Sequence, residues 1–172
     1  MFTSKRMSGR PVSEEYALGK LARLCSASEH CRREMADKCA KWGLAHESAE
    51  RVVQRLVQEG FVDDARFATL YVRDKARFAG WGPVKVRMQL KLKGVDESAA
   101  ADAIAAFDAC EWHALLVKAL KAKLRTMPAP PDSDDGLAYG SKAFASLVRF
   151  AMQRGFEYDE VRNAVAEIAN GD

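Results

Sequence analysis

Apolar residues recur along this chain at the three- and four-residue spacings of amphipathic helices, in a pattern that occurs three times. The three copies align on Gly43, Gly94 and Gly155, with apolar side chains eight and four residues before each glycine. Another apolar residue follows each glycine directly, and three more come nine, ten and thirteen residues after it. Since a glycine that ends a helix can adopt a positive φ, each copy predicts a helix, a tight turn and a second amphipathic helix.

A further amphipathic segment precedes each copy, which makes three helices per unit. Ser13 is the expected N-cap of the segment that opens the first unit. Gly60 ends the last helix of the first unit, and Asp63 or Asp64 caps the segment that opens the second unit. The apolar stripes of these segments are Leu18, Leu21, Ala22 and Cys25; Phe67, Leu70 and Tyr71; and Trp112, Leu115, Leu116, Ala119, Leu120 and Leu124. We therefore predict a basic flexible tail over 1–12 and helical units over 13–59, 60–110 and 111–172, the last with a Pro-rich loop over 127–136.

One segment, residues 84–93, has a different local pattern. Its apolar and polar residues alternate with period two, which is typical of a half-buried strand. The repeat nevertheless places Val86 and Leu90 opposite the core positions of the other two helices. We therefore predict a helix here.

Composition supports an all-α chain, since it holds 29 Ala against 13 Val and 2 Ile. Neither a membrane span nor an apolar signal-peptide core occurs, so we expect a soluble, cytoplasmic protein. No phosphate loop, dinucleotide-binding pattern or catalytic motif is present, and we expect no enzyme activity, cofactor or metal. The alternative for the cysteines is a zinc site that uses Cys25, His30, Cys31 and His46, but the spacing matches no common finger.

Charge is distributed in blocks, although the net charge is only +3. Residues 64–94 carry +6, and the following segment, 95–111, carries −5. Such alternation can give one basic face and one acidic face, and a basic face is the usual footprint of a nucleic acid or acidic partner. The simpler alternative is ordinary solvated helix surface.

The central run GFVDDARFATLYVRDKARFAGWGPVKVRMQLKLKGV, Gly60 to Val95, resembles the centre of the RecX regulatory proteins, bacterial modulators of the RecA recombinase. SEHCRREMADKCAKWG resembles the first-unit motif of that family, and VRFAMQRGFEYDEV resembles the third. Cys31 departs from the family, which commonly has serine there; we expect the helix cap at this position to be weaker by about 1 kcal/mol or less. The positions that carry the structural motif are Gly43, Gly60, Asp63, Asp64, Phe67, Gly82, Gly94 and Gly155.

The resemblance implies an elongated, curved array of three tandem three-helix units. It further implies a monomeric, non-enzymatic regulator that binds RecA filaments and lowers filament growth, ATP hydrolysis, strand exchange and LexA cleavage in DNA repair and the SOS response. Some family members also bind DNA. As candidate contacts with RecA or DNA we choose a set of basic residues and one tryptophan: Arg66, Arg73, Arg77, Trp81, Lys85, Arg87, Lys91, Lys93, Lys118, Lys121 and Arg125.

Helical geometry supports this choice, because Arg66, Arg73 and Arg77 fall within an arc of about 40° on one helix. Lys85 and Lys93 lie on one flank of the next helix, with Arg87 and Lys91 on the other. Of the aromatic residues between these cations, Trp81 is expected to be the most exposed. Two alternatives stay open: an independent DNA-binding protein built of helix-turn-helix-like units, and a generic helical scaffold whose surface charges have no partner.

Overall fold

The computed structural model of the chain describes residues 12–127 and 137–171. Within these ranges the chain forms nine α-helices and no strand, so the prediction of an all-α fold is confirmed. The predicted tail over 1–12, apart from Val12, and most of the predicted Pro-rich loop lie outside the described residues. The helices are α1 Glu14–Ala27, α2 Arg32–Lys41, α3 His46–Gln58, α4 Asp64–Arg77, α5 Pro83–Leu92, α6 Glu97–Ala105, α7 Ala109–Arg125, α8 Lys142–Gln153 and α9 Tyr158–Asn170.

The chain separates into two compact units, Met1–Phe67 with Lys93–Val95, and Ala68–Leu92 with Asp96–Asp172. In the first unit α1 and α2 both pack on α3. The core of this unit consists of small and medium apolar side chains: Ala17, Leu21, Met35, Cys39, Ala49, Val52, Leu56 and Val62. The division into three sequence units stays a prediction.

In the second unit α7, α8 and α9 pack on one another, and α5 packs on α6. One core cluster of this unit is built from α7, α8, α9 and the turn before α9: Leu116, Leu120, Phe144, Leu147, Ala151, Phe156, Val161, Ala164 and Val165. Most of these residues occupy the predicted repeat positions or the predicted stripe of α7.

The three repeat glycines adopt the predicted left-handed conformation, with φ of 80° at Gly43, 74° at Gly94 and 91° at Gly155. After α2, the N–H of Gly43 donates to the Ala40 carbonyl and the N–H of Leu44 to the Cys39 carbonyl. The turn after α8 has the same two bonds, made by Gly155 and Phe156. Each turn is thus a Schellman motif, in which the apolar residue after the glycine reaches back over the end of the helix.

The alternating segment is helical, as the repeat predicts. Val86 and Leu90 are buried, whereas Val84, Met88 and Leu92 are exposed. The period-two pattern therefore arises from a helix with two apolar faces on opposite sides, of which only one packs on the core.

The two adjacent aspartates at the start of α4, Asp63 and Asp64, cap different helices. Asp63 accepts hydrogen bonds from the backbone N–H groups of Ala65 and Arg66 at 2.9 and 3.0 Å, so it caps α4. Asp64 instead accepts from the N–H of Arg32 at 2.9 Å, in the first turn of α2. The Cys31 side chain makes no cap hydrogen bond, and Asp64 supplies an acceptor that α2 would otherwise lack.

Candidate basic interface

The basic stripe of α4 contains arginines in three different environments. Arg66 donates from Nε to a carboxylate oxygen of Glu29 at 2.6 Å and from Nη2 to the carbonyl of Gly60 at 3.2 Å. These bonds tie α4 to the segment before α2 and to the turn after α3 within the first unit. Arg66 therefore has a structural role in the folded chain.

Arg77 is paired as well, in the second unit. Its Nε and Nη2 donate to the two carboxylate oxygens of Glu111 at 2.6 and 2.9 Å, a bidentate bond that joins α4 to α7. The hydrogen bonds from Arg77 lower the pKa of Glu111 below its ordinary value. Arg73 lies between these two residues in sequence; it is exposed, and no ion pair within the described ranges involves it.

Lys93 belongs to a small polar network in the first unit. Its Nζ lies 2.6 Å from Oε1 of Glu34, whose Oε2 lies 2.8 Å from Nδ1 of His30. Burial alone would raise the pKa of Glu34, but the hydrogen bonds from Lys93 and His30 outweigh it and lower that pKa. Glu34 is thereby committed to this network and does not form the capping box that its spacing from Cys31 would allow.

Trp81 lies among cations, and its predicted exposure was wrong. The ring is half-buried, with Nζ of Lys75 and of Lys85 at 5.3 and 4.7 Å from its centroid. Of the aromatic residues that lie between the candidate cations in sequence, Phe78 has the most exposed ring, at 86%. The spacing along the sequence did not show that two lysine side chains would cover the tryptophan.

The remaining candidate residues lie on α5 and α7 of the second unit. Arg87 and Lys91 are exposed, and only Glu97 approaches Arg87 within the described chain, at 3.5 Å. On α7, Lys118 and Arg125 are exposed, whereas Lys121 is half-buried and engaged in a further contact. Apart from Arg77, which is paired with Glu111, the exposed cations of the second unit that the sequence singled out are thus Arg73, Arg87, Lys91, Lys118 and Arg125.

The start of α5 packs tightly on the turn between α8 and α9. The N–H of Gly82 donates to the Arg154 carbonyl at 2.7 Å and that of Val84 to the Gly155 carbonyl at 3.1 Å. A Cβ on Gly82 would lie 2.7 Å from the backbone nitrogen of Phe156, so only glycine fits there. We call this contact, made of the two hydrogen bonds and the close approach at Gly82, the clasp. It positions α5, and with it the cations Arg87 and Lys91.

Arg154 completes the clasp, and sequence reasoning missed it. Its Nη1 donates to the carbonyls of Ala79 and Gly80 at 3.2 and 3.3 Å. The partners are 75 and 74 residues away in the chain, so no local spacing could have revealed them. Gly82 could have indicated the backbone contact but not its partner, because a glycine that no turn requires indicates close approach of another backbone.

No three His, Cys, Asp or Glu side chains in the described part of the chain lie close enough together to hold a metal ion. Within the same ranges, the helices are too short or too polar to cross a membrane.

Comparisons of sequence and of structure with known proteins point to a single family. The family model described as "RecX, second three-helix domain" matches residues 63–104. A protein named Regulatory protein RecX from Chlorobaculum tepidum is 31% identical over 149 residues, 87% of this chain and 86% of that protein. The chain belongs to the RecX family. Another RecX protein, from Stenotrophomonas maltophilia, is 33% identical over 160 residues, 93% of this chain and 89% of its own.

The fold is also that of RecX. The crystal structure of RecX from Lactobacillus salivarius superposes with a TM-score of 0.74 over 91% of this chain and 96% of the other, at 17% identity. The RecX relatives are named regulatory proteins, and the chain is accordingly a member of a family of regulators. The matched domain contains the capping residues Asp63 and Asp64, the glycines Gly82 and Gly94, and the exposed cations of α4 and α5.

Proposed function

We propose that this RecX-family protein binds the filament that RecA forms on single-stranded DNA and inhibits its growth, ATP hydrolysis, strand exchange and LexA cleavage. It does so as a monomer in the cytoplasm, within DNA repair and the SOS response, and catalyses no reaction of its own. Membership of the RecX family supports the partner.

The observation that carries the proposal is the separation of the basic residues into two groups. Arg66, Arg77 and Lys93 are held by carboxylates of the chain itself. Arg73 and Lys91 are exposed and enter none of the ion pairs that the described ranges contain. Exposed guanidinium and ammonium groups on well-packed helices suit the carboxylates or phosphates of a partner, because little of their charge is neutralised within the chain.

The test measures ATP hydrolysis by RecA on single-stranded DNA at increasing concentrations of this protein. We expect the double variant Arg73→Glu/Lys91→Glu to need about tenfold more protein for half-maximal inhibition, which corresponds to the loss of two exposed charge pairs. The matched control is Arg23→Glu/Lys41→Glu, which makes the same charge change at exposed positions of the first unit. Absence of inhibition by the unmodified protein at any ratio would refute the proposal.

The alternative, independent DNA binding, makes a different prediction in the same system. It requires tight binding of free DNA without RecA, with an affinity that falls steeply as salt is raised. If Arg73→Glu/Lys91→Glu weakened binding to free DNA and to the filament equally, the protein would act through DNA. Equal activity of this variant, the control and the unmodified protein would favour a generic scaffold.

A further inference from the structure

Helix α5 presents an apolar row to solvent in addition to the face that packs on the core. Val84, Met88 and Leu92 are 48, 52 and 61% exposed. At 100° per residue they fall within an arc of about 80°, on the side opposite Val86 and Leu90, and the row is about 12 Å long. Eight large apolar side chains are exposed in the described part of the chain, and three of them form this one ridge.

Cations border the ridge along both edges. Arg87 and Lys91 lie on one side of the row and Lys85 on the other, by the same helical geometry. The helix contains no Asp or Glu. An exposed apolar row with a polar border marks an interaction surface, whereas single exposed apolar residues do not.

The charge of the border selects among possible occupants. A second copy that paired ridge to ridge would bring Arg87 and Lys91 close to cations of its own kind, which opposes self-association. Nucleic acid would pair with the cations but would leave three aliphatic side chains against phosphates. A helix whose own apolar row is bordered by Asp and Glu matches both features, because rows at four-residue spacing interdigitate when two helices pack.

We propose that the ridge Val84, Met88 and Leu92 docks an amphipathic helix of a partner protein whose apolar row is flanked by carboxylates. This inference rests on the proposed function, since it places such a helix on the protein subunits of the filament. The contact between the two proteins then has an apolar part, which salt does not screen, beside the electrostatic part made by the exposed cations.

The first experiment compares Val84→Ser/Met88→Ser/Leu92→Ser with the unmodified protein. The matched control is Tyr16→Ser/Met152→Ser, at side chains that are 55 and 50% exposed elsewhere on the chain. Affinity for the RecA filament is measured at 100 and 500 mM NaCl, and affinity for free single-stranded DNA at 100 mM, each by fluorescence anisotropy. We expect the ridge variant to lose at least about tenfold in filament affinity at both salt concentrations, with DNA affinity and thermal unfolding unchanged and the control unaffected.

A second pair of variants tests the charge of the partner. Met88→Glu and Met88→Lys both remove the central apolar side chain but add opposite charges. A carboxylate border on the partner predicts that Met88→Glu binds the filament more weakly than Met88→Lys, by about tenfold. Equal affinities of the two variants would overturn the assignment of an acidic border.

The remaining outcomes separate the two proposals. If the unmodified protein binds the filament and the ridge variant binds equally well, the docking proposal fails and the proposed function survives. If the unmodified protein does not bind the filament, both fail. Equal losses toward free DNA would make the ridge a DNA contact, and a dimer in analytical ultracentrifugation that the ridge variant abolishes would make it a self-association surface; either result overturns the proposal.

Discussion

Replacing Gly155 by alanine should separate the two requirements that the structure places on this residue. The first requirement is conformational: at φ of 91°, an L-residue incurs about 1–2 kcal/mol. The second is steric, because the new Cβ would lie 2.5 Å from the backbone nitrogen of Lys85 at the start of α5. Neither backbone can give way without opening the clasp between α5 and the turn before α9.

The steric requirement can be estimated from the bonds that the clasp contains. Opening it breaks the hydrogen bonds from Gly82 and Val84 to the Arg154 and Gly155 carbonyls, each with a net value of about 0.5–1.5 kcal/mol. Together with the conformational term, Gly155→Ala should lower the free energy of unfolding by about 2–5 kcal/mol. Gly43→Ala is the matched control, since Gly43 has φ of 80° but nothing within 4 Å of its added Cβ. It should lose only the conformational 1–2 kcal/mol, roughly.

Urea titration followed by far-ultraviolet circular dichroism gives the free energy of unfolding for both variants. Hydrogen exchange measured by mass spectrometry locates the change: Gly155→Ala should accelerate exchange in α5 and α8, and Gly43→Ala only around the end of α2. Equal losses of stability in the two variants would refute the reasoning, because they would show that the close approach of the Lys85 backbone contributes nothing.

Three further predictions concern the caps, the Glu34 network and the arginine stripe. Asp64→Ala should speed amide exchange in the first turn of α2 about fivefold, as expected for a lost cap, and Asp63→Ala should speed it in the first turn of α4. Exchange that rises only in α4 for both variants would contradict the assignment of Asp64 as the cap of α2. Because the folded-state pKa of Glu34 is lowered, its contribution to stability is present above its unfolded pKa and is lost as pH falls through the folded value. Glu34→Gln should therefore be less stable than the unmodified protein at pH 7, by about 1 kcal/mol, and thermal melts should show this difference in stability narrowing toward pH 3. Glu15→Gln, at an exposed position, should give no such trend. A difference in stability that does not depend on pH would argue against the network. Arg77→Ala should lower the melting temperature and Arg73→Ala should not, which calorimetry can check; equal melting temperatures would show that the Glu111 pair is not stabilising.

The sequence predicted the helices well because their determinants are local. The apolar positions around Gly43 and Gly155 specify a helix, its end and the next helix within about 25 residues, and the structure has the predicted turns at both. The helical structure of α5, whose local pattern alternates like that of a strand, was also predicted, from its alignment with the other two copies. The second apolar face of α5 was not predicted, because an amphipathic helix is expected to have one apolar stripe. Val84, Met88 and Leu92 were therefore interpreted only as part of the alternating pattern.

The candidate basic interface was less predictable because the charge partners are distant in the chain. Arg66 pairs with a residue 37 positions away, Arg77 with one 34 positions away and Lys93 with one 59 positions away. Helical periodicity placed Arg66, Arg73 and Arg77 correctly on one face of α4, but it contains no information on which carboxylates other helices bring to that face. The same limit explains Trp81, whose cover by Lys85 depends on how the turn after α4 folds back.

This distinction changes how the basic stripe should be tested. Reversing the charge of all three arginines of α4 would break the Glu29 and Glu111 pairs together with any partner contact, so a loss of filament binding would not distinguish a lost interface from a loosened fold. Arg73 is the one arginine of the three whose side chain makes no ion pair within residues 12–127 and 137–171. A change at Arg73 that weakens filament binding without changing the melting temperature can therefore be attributed to the interface itself, because no bond within the described chain is lost with it.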